Sequence, residues 1–216
     1  YNLGFDKDQV AGVELNSDFY NNNRNLYVNR LKEHPDIEEV AFSKQKLGAR
    51  DGYTTYGLSF EGQLFNSYVL GVSPSFPHTM GISVIDGRDF LPSDEQPGQL
   101  MFMFNQPLQK AVGMEPGSLI NLPVWEMTGR TAGIVRDLKF TSLRQGEERI
   151  SLMINPHAAL PVSYIRIRAG ADVRETVAYV QKIVLGIDPT YPFELEFYDS
   201  IFNRLYQKEI SLTKII

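Results

Sequence analysis

Polar and apolar residues trace the same strand–helix–strand pattern twice, once towards each end of the chain. In the first unit, residues 10–15 read as a strand and residues 22–33 as a helix. His34-Pro35-Asp36 stops that helix, and a second strand follows over 37–43. The second unit runs through a strand at 162–168, a turn at Ala169-Gly170, a helix over 172–185 and a strand at 193–198. Val173, Val177, Val180, Val184 and Ile187 recur at helical spacing and predict its buried face. Asp172, with Glu175 three residues on, has the form of a capping box, and Asp188-Pro189 ends the helix. The last strand alternates: Phe193, Leu195 and Phe197 on one face, Glu194, Glu196 and Tyr198 on the other.

Between the units the pattern turns β-rich. Runs at 53–60 and 65–72 flank Glu61-Gly62, a hairpin turn. Ser73-Pro74-Ser75 opens a short helix reaching Met80, and 92–98 is a loop. Residues 100–104 are continuously apolar and predict a strand covered on both faces. Asn105 caps a short helix with Pro107 in its first turn and Gly113 at its end. Further strands are expected at 118–122, 131–138 and 150–154. The whole predicts an α+β fold of split units, with a subdomain inserted between borders near residues 73 and 150. It does not predict a doubly wound sheet, because no Gly-rich loop joins a strand to a helix.

The final residues, 200–216, carry Ile201, Leu205, Leu212 and Ile215 on one helical stripe, with Phe202 beside it and no stop signal after. Two readings are open: a helix leading into a membrane span, or a terminal helix packed on its own core. No apolar run approaches the roughly 20 residues that span a bilayer. There is no initiator Met or signal peptide, so the opening reads as trimmed.

Composition narrows the chemistry. A net charge of -5 with scattered Lys and Arg argues against nucleic acid. With no cysteine there is no disulfide, zinc-thiolate site, thiol nucleophile or lipoprotein anchor. His34, His78 and His157 lack the spacing of a helical metal site and sit near prolines, as turn or surface residues do. The pairs Glu38-Glu39, Asp94-Glu95 and Glu147-Glu148 read as solvated surface, and a hydrolase would need two acids converging in a cleft. Met101 and Met103 read as core filling, Trp125 as a packing anchor, and the tyrosines as half-exposed sheet positions. No Gly-x-Ser-x-Gly occurs. No catalytic, cofactor-binding or metal-ligating residue is assigned, and contacts with a ligand or partner remain unassigned.

The order of several short motifs resembles the extracytoplasmic (periplasmic core) domains of MacB-like and FtsX-like ABC transporter permeases, particularly those of Bacteroidetes-type bacteria. The opening Asn2-Leu3-Gly4-Phe5-Asp6 before Val10 resembles the segment after the first membrane helix. Gly81-Ile82 leading to Gly87-Arg88-Asp89-Phe90 resembles the "G-R-x-F" turn. Phe104-Asn105, Gly113 and Pro116-Gly117 resemble "N-E-A … G … P-x-G", and Gly133-Ile134-Val135-Arg136-Asp137-Leu138 with Ser142-Leu143 resembles "G-V-V-x-D-F … S-L". Residues 202–209 resemble the helix that re-enters the membrane. Gln106-Pro107 departs from the acidic-Ala pair, and Leu138 stands where Phe is usual.

This resemblance implies a porter-like subdomain (1–72 and 150–199), an inserted β-rich, Sabre-like subdomain (73–149), and a helix at 200–216 leading to a transmembrane span. It implies a non-catalytic domain at the periplasmic face of the bacterial inner membrane, relaying ATP-driven motion of membrane helices. The implied partners are a cytoplasmic ABC ATPase subunit and a second permease copy, with a periplasmic adaptor or outer-membrane protein beyond them, and no cofactor. The competing expectation is an extracytoplasmic ligand-binding or sensory module.

Overall fold

The computed structural model describes residues 9–48, 54–138 and 149–200. The elements are β1 (Val10–Glu14), α1 (Ser17–Lys32), β2 (Ile37–Ser43), β3 (Thr54–Phe60), β4 (Gln63–Gly71), α2 (Phe76–Thr79), β5 (Val84–Gly87), β6 (Leu100–Asn105), α3 (Gln106–Val112), β7 (Leu119–Leu122), β8 (Met127–Val135), β9 (Ile150–Ile154), β10 (Val162–Ile167), α4 (Val173–Ile187) and β11 (Leu195–Phe197). The fold is α+β. The predicted terminal helix, the opening motif, Ser142-Leu143, Glu147-Glu148 and Tyr53 lie outside the described residues.

The two strand–helix–strand units interleave into one antiparallel sheet, ordered β11-β1-β10-β2. Strand alternation sorts its side chains strictly. Ala11, Val13, Val40, Phe42, Ile165 and Ile167 face α1 and α4. Val10, Ala41, Val162 and Tyr164 face the other way.

The remaining strands are ordered β5-β8-β6-β9-β4-β3-β7, and a β7–β8 pairing closes six of them into a barrel, with β5 attached outside. Closure leaves little exposed edge to the middle strands. Phe65, Leu100, Phe102, Phe104, Ile120 and Met153 fill the interior. The outward residues Leu70, Met101, Met103, Val135, Leu152 and Ile154 pack against the sheet's second face. So β6 is buried at all six positions because one face lines the barrel and the other meets the sheet. Both methionines are core, as their alternation implied.

Several predicted features hold in detail. Glu61 (φ 48°) and Gly62 (φ 81°) form the tight turn between β3 and β4, whose paired positive φ angles suit the twist of a hairpin. Asn105 caps α3, and Gly113 ends it at φ 89°. Asp172 caps α4 by accepting from the Arg174 and Glu175 amides.

Others are corrected. α1 begins at Ser17, five residues before the expected start. Asn16 caps it by accepting from the Phe19 N–H at 2.7 Å. The buried face of α4 is Thr176, Val180 and Val184, and Val173 is exposed at the first turn. β5 was not expected as a strand, because Ile85, Asp86 and Gly87 are exposed and show no alternation. β8 starts at Met127 and not at 131.

Sheet membership also departs from the expected borders at 73 and 150: β3, β4 and β9 belong to the barrel. The hairpin pattern marks strands but not the partner they join. Trp125 is 38% exposed on a 3-10 turn, with its ring 5.1 Å from that of Tyr56, so it anchors no core. Tyr164 and Tyr198 are fully buried and not half-exposed.

Candidate interaction groove and the paired chain ends

The place where the chain enters and leaves the sheet is fixed by register. β1 and β11 run antiparallel, with Ala11 opposite Phe197, Gly12 opposite Glu196 and Val13 opposite Leu195. The residues before Ala11 and after Phe197 therefore depart side by side from one end. Adjacent strands lie about 4.8 Å apart. Farther along the pair, Lys46 bridges Glu196 of β11 at 2.9 Å and Glu14 at the other end of β1 at 3.8 Å.

Tyr198, the first residue past β11, is buried in the core between sheet and barrel. Its ring lies over Gly12, where a side chain would leave no room, and 5.2 Å from the ring of Tyr164. The Tyr164 hydroxyl lies 2.6 Å from Ser43 Oγ and 3.3 Å from the Gln45 carbonyl. Burial pushes its pKa up to about 12, although the Ser43 bond works the other way. Phe76 of α2 meets Tyr164 edge-on at 5.2 Å. Aromatic and hydroxyl contacts thus cross the sheet on its barrel side, from the exit strand to β2.

A groove runs along the outer side of α1. It consists of two adjoining clefts of about 320 and 360 Å³ that meet at Arg24, Asn25 and Glu95. One wall is α1. The other comes from residues 73–75, the 92–95 turn and residues 155–158. The first cleft is polar, with Asn21, Asn22, Asn155 and His157. The second is floored by Val28, Phe42, Pro74 and Pro92.

Arg24 crosses the middle of the groove. Its Nη1 donates to the Tyr20 hydroxyl at 2.7 Å and to Glu95 Oε1 at 3.2 Å, and its guanidinium lies 5.2 Å from the Tyr20 ring centre. Burial disfavours the cation, but the Tyr20 hydroxyl and Glu95 outweigh it and hold the Arg24 pKa above its ordinary value. Burial raises the Tyr20 phenol as well. Beside the groove, Arg88 grips Asp94 with two bonds of 2.7 and 2.9 Å. Burial opposes the Asp94 charge, and Arg88 and the Leu91 amide prevail, lowering its pKa.

The structure disperses the chemically suggestive residues. His34 accepts from the Asp36 amide and packs on Tyr179, His78 lies on α2, and His157 lines the groove. Glu39 pairs with Lys32, while Asp94 and Glu95 pair with different arginines. Among the described residues no three His, Asp or Glu gather as metal ligands. No described helix is long and apolar enough to cross a membrane. The Arg24–Glu95 contact joins residues 71 apart and has no local signature in the sequence. The asparagine run in α1 is its only visible trace.

No protein-family model and no curated relative matches the chain. Solved structures do. The periplasmic region of MacB from Actinobacillus actinomycetemcomitans superposes with a TM-score of 0.65 at 12% identity, over 94% of this chain and 94% of that one. A domain of a putative permease protein from Porphyromonas gingivalis matches with 0.58 at 14% identity, over 88% and 89%. The extracellular domain of the noncanonic ABC-type transporter YknZ from Gram-positive bacteria matches with 0.60 at 11% identity, over 87% and 98%. The chain has the MacB-like periplasmic-domain fold shared by extracytoplasmic domains of ABC-type transporters, the fold family that the motif order resembles.

Proposed function

We propose that this chain is the non-catalytic extracytoplasmic domain of an ABC transporter permease, at the periplasmic face of the bacterial inner membrane, and that it relays ATP-driven movement of membrane helices to periplasmic substrates or partners. The observation that carries the reading is the β1–β11 pairing, which brings Val10 and Tyr198 out side by side at one end of the sheet, as two neighbouring membrane helices would require. The reading makes the sheet with α1 and α4 the porter-like part and the barrel the Sabre-like part. Its partners are a cytoplasmic ATPase subunit and a second permease copy, with an adaptor or outer-membrane protein beyond. The core shared by sheet and barrel supports a relay that moves as one body.

The test uses spin labels on the full permease in membranes. Lys110→Cys on the barrel's helix and Lys182→Cys on α4 are both exposed sites in a cysteine-free domain. The distance between the Lys110 labels of two copies changes by several ångströms between ADP and trapped ATP states, a typical amplitude for rigid-body domain motion. The Lys110–Lys182 distance within one copy stays constant. Equal inter-copy distances in both nucleotide states would refute the relay.

A further inference from the structure

The asparagines of α1 are the least expected feature of the molecule. Asn21, Asn22, Asn23, Asn25 and Asn29 fall within one sixteen-residue helix. Asparagine ranks low among helix formers, because its amide competes for nearby backbone groups. A local rule broken without structural return marks a functional place. Here there is no structural return: the side chains of Asn21, Asn22, Asn25 and Asn29 make no hydrogen bond within the described residues. With Val28 they occupy one face of α1 and line the groove.

The groove's chemistry selects among ligands. Its one ion pair, Arg24–Glu95, is internally satisfied, so in a chain of net charge -5 the groove is neutral and matches an uncharged polar ligand. Each free amide offers both a donor and an acceptor, the pair that a peptide group presents in return. From Asn21 to Asn29 the helix advances about 12 Å, the reach of roughly four extended residues. The apolar half, floored by Val28, Phe42, Pro74 and Pro92, seats one side chain. A sugar would instead stack on an exposed aromatic face, but apart from the imidazole of His157 the ring residues here, Tyr20 and Phe42, are 5% and 3% exposed.

We infer that the α1 groove binds an extended, uncharged peptide segment, with the asparagine amides pairing its main chain and the Val28–Pro92 half holding one apolar side chain. This goes beyond the relay reading and does not depend on it, because the groove is complete within the described domain.

The probe is a pool of N-acetylated, C-amidated hexapeptides with valine, leucine or phenylalanine at the third position and glycine, serine or alanine elsewhere. It is titrated into the isotope-labelled chain and followed by NMR. The expected result is shifts of the Asn22, Asn25 and Asn29 side-chain amides and of backbone signals at 21–29 and 155–158. Asn25→Ala with Asn29→Ala weakens binding by about tenfold or more, the scale of one lost polar pair. The same variant melts no lower than the wild type, since alanine is the better helix former, so unfolding does not mimic the loss. The inference is overturned if no shifts appear at millimolar peptide, if they map elsewhere, if the double variant binds equally well, or if chitohexaose moves these signals and the peptides do not.

Discussion

Replacing Gly12 by alanine tests how tightly the exit of the chain is tied to its body. A Cβ at this position falls 2.7 Å from Tyr198 Cε2, 3.2 Å from its hydroxyl oxygen and 3.3 Å from Cζ. Carbon atoms in comfortable contact are about 3.5–4.0 Å apart, so the ring must retreat by roughly 1 Å. It has nowhere to go. Tyr198 is fully buried, Tyr164 backs it at 5.2 Å, and Tyr164 is held by Ser43 and Phe76. Overpacking of this kind costs about 1–3 kcal/mol. For a domain of this size each kcal/mol lowers the melting temperature by about 2–4 °C, so Gly12→Ala melts about 2–12 °C lower by circular dichroism. A second arm isolates the contact. Tyr198→Ala alone leaves a cavity costing about 3–5 kcal/mol. In the double variant the alanine methyl enters the vacated space, and the combined loss falls short of the sum by about 1 kcal/mol or more. Additive losses, or a Gly12→Ala protein that melts like the wild type, would show that Tyr198 is not wedged against β1.

Three further outcomes follow from the geometry. Asn105→Ala removes the buried oxygen that accepts from the Ile150 amide at 3.1 Å and the Leu108 amide at 3.4 Å. Urea unfolding then registers a loss of about 2–4 kcal/mol. The folded-state pKa of Asp94 is depressed, so its stabilisation is present above the unfolded value of about 3.9 and lost as pH falls through the folded one. Because Arg88 is 45% exposed, solvent screening limits the effect. Asp94→Asn is less stable than the wild type by about 0.5–1 kcal/mol from pH 5 to 8, and the gap closes towards pH 3. A gap that widens in acid contradicts the assignment. Finally, Ala11→Cys with Phe197→Cys places two cysteines directly opposite in a chain that has none. Facing Cα atoms about 4.5–5.5 Å apart suit a disulfide, and mass spectrometry after mild oxidation detects it; free thiols would contradict the register.

Much of this fold is legible where the signal is local. Residues 37–43 are bounded by the His34-Pro35-Asp36 turn, and they form β2 at those limits. Glu61-Gly62 and the Asn105–Gly113 helix announce themselves by turn and cap chemistry. What failed was non-local. Strands β3 and β4 read correctly as a hairpin, but only the pairing of β4 with β9 and of β7 with β8 shows that the hairpin belongs to a barrel. The valine stripe of α4 is too generous at its start, where Val173 overhangs the sheet and Thr176 takes the inward place. The start of α1 is hard to read in sequence because its buried face, Phe19, Tyr20, Tyr27 and Leu31, is thin beside its asparagines. Those same asparagines point to the groove, but its opposite wall comes from three distant segments.

Sheet and barrel share a single apolar core, and its size constrains how the domain can work. Parting them exposes Val10, Leu70, Phe76, Met80, Met103, Val135, Leu152 and Tyr164, each at most 1% exposed. At about 1.5–3 kcal/mol per fully buried side chain, the opening costs on the order of 12–24 kcal/mol. That matches or exceeds the whole stability of a typical domain, about 5–15 kcal/mol. Hinged opening between the two parts is therefore not an available motion. In the proposed relay, a tilt delivered where β1 and β11 pair would have to carry the barrel with it, through Tyr198 and the core behind it. For the same reason the α1 groove, lined by α1 on one side and by residues 73–75, 92–95 and 155–158 on the other, would keep its shape in the proposed relay. A peptide bound as inferred above would then travel with the domain in the proposed relay and not be squeezed from it.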